Sequence, residues 1–502
     1  MLLFQALKTQ TGEKNQQQPT SVTTDVFRVD RKQEIKQAIY NVIKERIENE
    51  KKRPDGFVEI VIDVRLTSKL RKLEASGELD KALETISASL VAIDGLAQSK
   101  IDKIAMTIVT ILDKVQDEMQ TVLTLFAWAL KKAPAACVDN MNYLSDIIYV
   151  LGDKAVDPLI SLHTPRVLEF FAKSPQIFFE TVTANAENAN LLMDSKFMDF
   201  FEMNLEAVRT VVLIAGRDSH AGMQLLYRFG SQCEDAIIKI ARVNSSLLTA
   251  LAKSDEAVIK KTLENPEEFL RMANFLHKEY GINNFQRLDY GIIEYTYVNA
   301  NSKAKRGKTA LIILNKDDYN HAFDAMTKQL NELMQRGYRL IICEANNEDE
   351  VRERYFNKGR RESQSGKEYK KEYDLVIIGG HGKPSYIQFG SRDAGETSYI
   401  DLGDYGQDKY FSEGSWSRML KKKAVIILMS CSTAGQIKDS EKMKNPSNFQ
   451  NIFDMMKNLA PDAEIVAPDG EASIEELLFN RRGRCTGATF GTAQAVYSGK
   501  KK

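Results

Sequence analysis

The stretch AVIILMSCSTAG, residues 424–435, joins an apolar run to a turn of small residues. Six consecutive apolar residues are typical of a strand that is buried on both faces of a parallel sheet. The run ends at Met429, and the thiol of Cys431 follows it. Because functional residues of parallel sheets lie beyond the carboxyl ends of the strands, this stretch predicts a sheet with a thiol at one edge.

Residues 374–382, DLVIIGGHG, repeat this arrangement about 50 residues earlier. If the two strands are neighbours, His381 and Cys431 share an edge of the sheet, where an imidazole can take the proton of a thiol. We predict His381 as general base, Cys431 as nucleophile, and the N–H groups of Gly382 and Cys431 as oxyanion donors. Taken singly, the cysteine is more often a buried small residue, and GHG a tight or phosphate-binding loop.

Three further apolar runs complete the predicted sheet, at residues 309–314, 339–344 and 464–467. Amphipathic helices are predicted at 318–336 and 447–459. Apolar strands that alternate with helices predict an α/β domain at 309–502, with a mainly parallel sheet covered on both faces.

The part of the chain before this domain has a different pattern. Helical periodicity extends through most of it, with proline and glycine between short segments. The predicted order is a disordered tail (1–24), a mostly helical regulatory or interaction region of one or two subdomains (25–298) and a basic linker (299–308). Three finer predictions within the helical region are a helix from Asp30 to about Lys52, a half-buried strand from Phe57 to Arg65, and a β-rich run from Ile292 to Val298.

Composition limits the classes of partner. Lysine plus arginine total 69 and aspartate plus glutamate total 69, so the net charge is zero and favours neither nucleic acid nor a membrane surface as the main partner. No apolar span is long enough to cross a membrane, and the first residues lack a signal peptide's basic leader.

The five cysteines are far apart, which predicts free thiols in a cytoplasmic protein and no metal site. The acidic stretch Asp401–Asp408 is either a calcium loop, although not of EF-hand spacing, or an ordinary exposed loop.

The two strand exits, GGHG and SCSTAG in this order, resemble the His-Gly and Cys blocks of the caspase clan of cysteine peptidases. That clan includes caspases, clostripain, gingipains, legumain, separase and CHAT domains. The Cys block lacks the caspase wording Q-A-C-x-G and is more similar to the clostripain-like and CHAT branches. The resemblance covers about residues 309–497. It implies a cysteine endopeptidase with protein substrates.

The resemblance also suggests where specificity arises. In this clan the loop after the strand that follows the cysteine often contacts the side chain before the scissile bond, and here that loop contains Asp469. An aspartate there implies cleavage after Arg or Lys; the alternative is a turn aspartate before a helix capped by Ser473. Such an enzyme could process itself in the basic stretches 299–308, 357–371 and 438–444. The alternative from another class is a helical scaffold whose peptidase-like domain only binds.

Overall fold

The fold comes from a computed structural model that describes residues 22–52, 58–93, 95–301, 307–316, 326–357, 372–390, 398–437, 449–471 and 473–499. The chain divides into two compact units, Met1–Met203 and Asn204–Lys502. The predicted combination of a mostly helical N-terminal region and a C-terminal sheet of mainly parallel strands is confirmed. The predicted linker at 299–308 lies inside the second unit.

The described part of the first unit is built from helices and one hairpin. Its helices are Val22–Ile47, Val64–Ala75, Glu78–Leu90, Gln98–Lys114, Met119–Lys132, Pro134–Asp139, Met141–Leu151, Val156–Ser161, Pro165–Lys173, Pro175–Ala184, Asn188–Leu192 and Ser195–Met203, with a 3-10 turn at Gly152–Ala155. The hairpin pairs β1 (Glu48–Lys52) with β2 (Val58–Ile62). In the first helix the apolar face is buried at four-residue spacing, at Ile35, Ile39, Ile43 and Ile47.

Three predictions at the start of this unit need correction. The first helix begins at Val22, inside the predicted tail, whose residues 1–21 lie outside the described residues. It ends at Ile47 and not near Lys52, because the next residues form β1. The predicted strand to Arg65 ends at Ile62, since the Asp63 carboxylate accepts the N–H of Leu66 (3.0 Å) and begins a new helix.

Helices also form the first hundred residues of the second unit. The helices of this unit are Leu205–Ala215, Ser219–Phe229, Glu234–Val243, Ser246–Ala252, Glu256–Glu264, Glu267–Tyr280, Tyr290–Asn301, Thr327–Gln335, Glu348–Arg352 and Ile452–Leu459. Short 3-10 turns lie at Gly216–Asp218, Ser231–Cys233, Phe285–Arg287, Leu402–Asp404 and Trp416–Met419, and a π turn at Glu353–Asn357. The predicted helix at 318–336 is described only from residue 326. The predicted start of the helix at 447–459 is wrong, because residues 449–451 are not helical and Asn451 caps a helix that begins at Ile452.

The prediction of a β-rich run at Ile292–Val298 is wrong, because these residues belong to the helix Tyr290–Asn301. The Asp289 carboxylate accepts the N–H of Ile292 (2.8 Å) and caps the helix. Ile292 and Thr296 are buried at four-residue spacing, so packing of one helical face overrides the β preference of the run.

The described strands of the second unit are β3 (Lys308–Asn315), β4 (Tyr338–Ala345), β5 (Tyr373–Gly379), β6 (His381–Lys383), β7 (Tyr386–Gln388), β8 (Tyr399–Asp401), β9 (Leu420–Met429), β10 (Glu464–Pro468), β11 (Glu476–Phe479), β12 (Cys485–Thr489) and β13 (Ala495–Tyr497). Six of them form the main sheet, in the order β4, β3, β5, β9, β10, β13. Neighbours are parallel except β13, which runs antiparallel to β10. Every residue of β5 is buried, so both faces of the sheet are covered there.

The smaller strands were not predicted. β6, β7 and β8 form an antiparallel sheet that begins with His381, and β11 pairs with β12 as a hairpin. Strands of three to five residues are too short to show a period of two, which explains why the sequence did not indicate them.

Candidate active site

The register of β5 and β9 aligns the two predicted catalytic residues. In this parallel pair Gly379, the last residue of β5, is opposite Met429, the last residue of β9. His381 lies two residues beyond the end of β5 and Cys431 two residues beyond the end of β9. Adjacent strands are about 4.8 Å apart, so the two exits begin side by side at the carboxyl edge. Both side chains are half-buried.

The two exits pack against each other through their backbones. A Cβ atom on Gly382 would lie 2.6 Å from the carbonyl oxygen of Cys431 and 2.7 Å from the Cβ of Ser430, so no side chain fits at this position. The N–H of Gly380 donates to the Oγ of buried Ser430 (3.2 Å). Glycine is therefore required where the histidine segment (residues 380–384) crosses the cysteine segment (residues 430–435).

The N-terminus of the helix Ile452–Leu459 holds both exits together. Its first N–H donates to the carbonyl of Pro384, after the histidine, at 2.8 Å, and its second donates to that of Thr433, after the cysteine, at 3.2 Å. The cap residue Asn451 adds a bond from Nδ2 to the carbonyl of Gly435 (2.9 Å). Asn451 was not predicted as a site residue, because the predicted helix at 447–459 included it. The signal that could have identified it is an asparagine directly before the amphipathic run.

The cysteine segment is also bonded to the end of β10. The N–H of Ser432 donates to the carbonyl of Gly470 (2.8 Å), and that of Ala434 donates to the carbonyl of Pro468 (3.0 Å). Ser432 has a φ of 56°, in the left-handed region that residues other than glycine seldom adopt. Strained backbone of this kind clusters at functional sites, and here it lies directly after the thiol.

Asp469 lies in the loop after β10, next to the cysteine segment. Its carbonyl oxygen would be 3.0 Å from a Cβ on Gly435, so the two loops touch. Its side chain is exposed, and Oδ1 accepts the N–H of Gln494 (2.9 Å). The alternative of a turn before a helix capped by Ser473 is wrong in one respect, because the next element is the strand β11. Asp469 therefore lies in a loop that contacts the cysteine segment, and its carboxylate is exposed.

The other cysteines are less suited to act as nucleophiles. Cys137, Cys343 and Cys485 are buried. Burial raises the pKa of Cys137 to about 12 and that of Cys485 to about 11, which disfavours the thiolate. Cys233 is half-buried like Cys431, but burial and the charge of Glu264 raise the pKa of its thiol.

The acidic stretch Asp401–Asp408 forms a capped turn. The Asp401 carboxylate accepts the N–H of Gly403 (2.6 Å), and the Asp404 carboxylate accepts that of Asp401 (2.7 Å). Burial, followed by the charges of Glu348 and Asp401, raises the pKa of the Asp404 carboxyl to about 7. Within the described residues, no group of three or more His, Cys, Asp or Glu side chains is arranged to hold a metal ion.

Comparisons with protein-family models, with curated proteins and with solved structures found no significant match. The resemblance to the caspase clan therefore stays a prediction from the two strand exits. No helix in the described parts of the chain has both the length and the apolar character needed to cross a membrane.

Proposed function

We propose that the chain is a cysteine endopeptidase of the caspase-like type. The register of β5 and β9 carries the proposal, since Gly379 pairs with Met429 and each reactive residue follows its strand at the same offset. The backbone contact of Gly382 with Cys431 supports it further. Thiol catalysis requires a nucleophile and a base held close to each other, and two reactive residues on adjacent exits that one helix terminus connects support this assignment.

Each group has a defined part in the proposed reaction. The imidazole of His381 takes the proton of Cys431, and the thiolate attacks the carbonyl carbon of the scissile peptide bond. The N–H groups of Gly382 and Cys431 donate to the oxyanion that forms. His381 then gives its proton to the leaving amine as the C–N bond breaks. Water, deprotonated by His381, hydrolyses the resulting thioester and restores the thiol.

The direct test is covalent labelling with a peptidyl acyloxymethyl ketone, which alkylates activated thiols. Cys431 should be labelled in the wild type. Cys431→Ala should lose both the label and peptide hydrolysis, and His381→Ala should lose nearly all of both, with melting temperatures close to that of the wild type.

Cys233→Ala is the matched control, because it removes the other half-buried thiol. Its labelling and hydrolysis should equal those of the wild type. Hydrolysis that persists in Cys431→Ala would contradict the proposal. Peptide binding without labelling or hydrolysis would instead support a domain that only binds.

We also propose that Asp469 selects Arg or Lys before the scissile bond. A carboxylate beside the cysteine segment can pair with a guanidinium through two hydrogen bonds. Asp469→Asn is a sharp test, because the amide oxygen can still accept the N–H of Gln494 while the charge disappears. The ratio of kcat/KM for Arg over Gln peptides should fall about tenfold or more. Glu471→Gln, which changes an exposed neighbouring charge, should leave the ratio unchanged.

Self-processing and regulation through the helical region belong to the same proposal. Residues 302–306, 358–371 and 438–444, which cover most of the three candidate cleavage stretches, lie outside the described residues. Mass spectrometry should find fragments that end at Lys or Arg in purified wild type and not in Cys431→Ala. Identical fragments in both preparations would point to another protease. An active wild type without fragments would favour regulation by a protein partner of the helical region.

A further inference from the structure

A cavity of about 390 Å³ opens at the amino ends of β9 and β10, at the edge of the sheet opposite to Cys431. Its wall includes two cations, Lys423 and Arg484, the polar side chains of Asn480 and Thr486, and Tyr497. This volume lies within the range of about 300 to 1,000 Å³ found for small-molecule sites. None of these residues belongs to the proposed active site.

The cations on one side of the cavity come from a bulge in β9. Tyr373 of β5 pairs with Leu420, but Leu375 already pairs with Val425, so β9 carries extra residues at this point. The extra segment, residues 421–424, includes three consecutive lysines, and the last of them, Lys423, has a φ of 62°. Glycine would adopt this conformation without strain. A lysine in that position, at the mouth of a cavity, is a strained residue of the kind that functional sites retain.

The second lining cation, Arg484, comes from the turn between β11 and β12. Its Nη2 donates to the carbonyl of Lys422 (2.6 Å), and the Nζ of Lys308, in β3, donates to the carbonyl of Gly483 (2.6 Å). Basic segments that are far apart in the chain are therefore joined through backbone carbonyl groups and also through the carboxylate of Asp374.

Positive charge exceeds negative charge around this cavity. Two cations, Lys423 and Arg484, line the cavity together with one carboxylate, Glu464, which accepts the N–H of Gly499 (2.8 Å). Just outside the lining, Asp374 pairs with Lys421 (2.7 Å) and is 3.6 Å from Arg484, and the charge of Glu332 acts on the lining residue Cys485. The Nε of Arg484 is buried and has no hydrogen-bond partner in the described part of the chain. Clustered like charges attract a soluble anion.

We propose that this cavity binds a small molecule that carries phosphate groups, with Arg484 and Lys423 as its charged contacts. A guanidinium matches two phosphate oxygens in its plane, and an ammonium adds a point charge. The polar and aromatic wall formed by Asn480, Thr486 and Tyr497 accommodates the rest of the ligand. A cavity of this volume with two lining cations favours a small molecule over nucleic acid, which would require an extended basic surface.

Titration calorimetry of the full chain with pyrophosphate, at constant ionic strength, tests the proposal. The wild type should show saturable binding, and Arg484→Gln and Lys423→Gly should each weaken it about tenfold or more. Glycine also relieves the left-handed strain, so the second variant remains informative if the first one fails to fold. Lys173→Gln, which removes an exposed lysine of the first unit, should bind like the wild type.

The outcomes of this and two further binding experiments separate the possible ligands. Absence of saturable binding in the wild type, or unchanged affinity in both variants, would overturn the proposal. If the protein sediments with vesicles that contain a phosphoinositide, and pyrophosphate reverses this, the proposal is supported and the phosphate belongs to a lipid headgroup. If pyrophosphate binds but the protein does not sediment with the vesicles, the phosphate belongs to a free metabolite. Tight binding of a labelled oligonucleotide that pyrophosphate does not displace would overturn it in favour of nucleic acid.

Discussion

Glu344 shows how much can depend on one buried carboxylate. It lies in β4, fully enclosed, and accepts the N–H groups of Asn283 (2.7 Å) and Asn284 (3.1 Å) and the Nη1 of buried Arg287 (3.2 Å). Burial raises the pKa of Glu344, and Arg287 counteracts that shift. Glu344→Gln keeps an acceptor for both N–H groups but leaves the guanidinium buried beside a neutral amide. We expect the free energy of unfolding, measured in urea, to fall by about 3 kcal/mol or more.

The control for this prediction is an ion pair on the surface. Glu268 and Arg271 lie 3.3 Å apart on one helix, and both are largely exposed. Glu268→Gln should change the free energy of unfolding by no more than about 0.5 kcal/mol. Equal losses in the two variants would mean that Glu344 contributes only through the N–H groups that glutamine still binds.

Asp404 should make stability depend on pH. The pKa of an aspartate carboxyl in an unfolded chain is about 4, whereas burial raises the pKa of the Asp404 carboxyl in the folded chain to about 7. Between these values the folded state binds more protons, so this group's contribution to stability falls as the pH rises from about 4 to about 7. Asp404→Asn should flatten this part of the profile and gain about 1 to 2 kcal/mol at pH 8, after allowance for partial solvent contact.

Thermal unfolding from pH 4 to pH 8 measures the effect. Asp462→Asn, which replaces an exposed aspartate, should keep the wild-type profile. Parallel profiles for Asp404→Asn and the wild type would contradict the prediction.

At the scale of elements, the helix Ile452–Leu459 should matter more to activity than to stability. Asn451→Ala removes the cap of this helix and the bond to the carbonyl of Gly435, so the free energy of unfolding should fall by about 1 kcal/mol. Because the same helix terminus holds both exits of the proposed site, kcat/KM should fall about tenfold to a hundredfold.

Asn347→Ala provides a matched comparison. Asn347 caps the helix Glu348–Arg352 by accepting the N–H of Glu350 (2.8 Å), and it makes none of these contacts to the cysteine segment. A similar loss of stability with normal activity is expected. If Asn451→Ala also kept normal activity, the helix terminus would have no positioning role.

Elements that the sequence predicted well are those with one dominant signal. The apolar runs that became β3, β4, β5, β9 and β10 are buried on both faces, so residue type alone identifies them. The run at Ile292–Val298 has a β preference, but it forms a helix because one helical face is buried and Asp289 caps its first turn. Val64 was expected on a strand face, but it is 77% exposed on a helix that begins after Asp63. Capping bonds of single residues set these boundaries.

For the whole molecule, the sequence predicted a boundary at 299–308 between the helical region and the sheet domain. In the second unit, however, helices on the N-terminal side of it are bonded to β4. Besides the contacts of Glu344, the hydroxyl of Tyr295 donates to the carbonyl of Tyr338 (2.9 Å). A fragment of residues 299–502 should therefore lack a cooperative melting transition, whereas 204–502 should melt cooperatively. Matching transitions in both fragments would support the predicted boundary.

The proposed site shows a similar division between what sequence could and could not predict. His381, Gly382 and Cys431 follow apolar strands, and strand order determines where they lie. Asn451 and the left-handed Ser432 act through single hydrogen bonds and one dihedral angle, which depend on segments brought together only in the folded chain. The basic cavity was not predicted for the same reason, since its lining residues come from segments that meet only in the folded chain.

The pairing of Gly379 with Met429 also bears on how such proteins diverge. Once two strands are neighbours in a sheet, the chain that connects them on the outside can gain or lose residues at small entropic cost, because closure entropy grows only with the logarithm of loop length. Insertions between β5 and β9 would then leave the histidine and the cysteine in place. Distant relatives should be sought by two apolar strands that end in His-Gly and in Cys, whatever the number of residues between them.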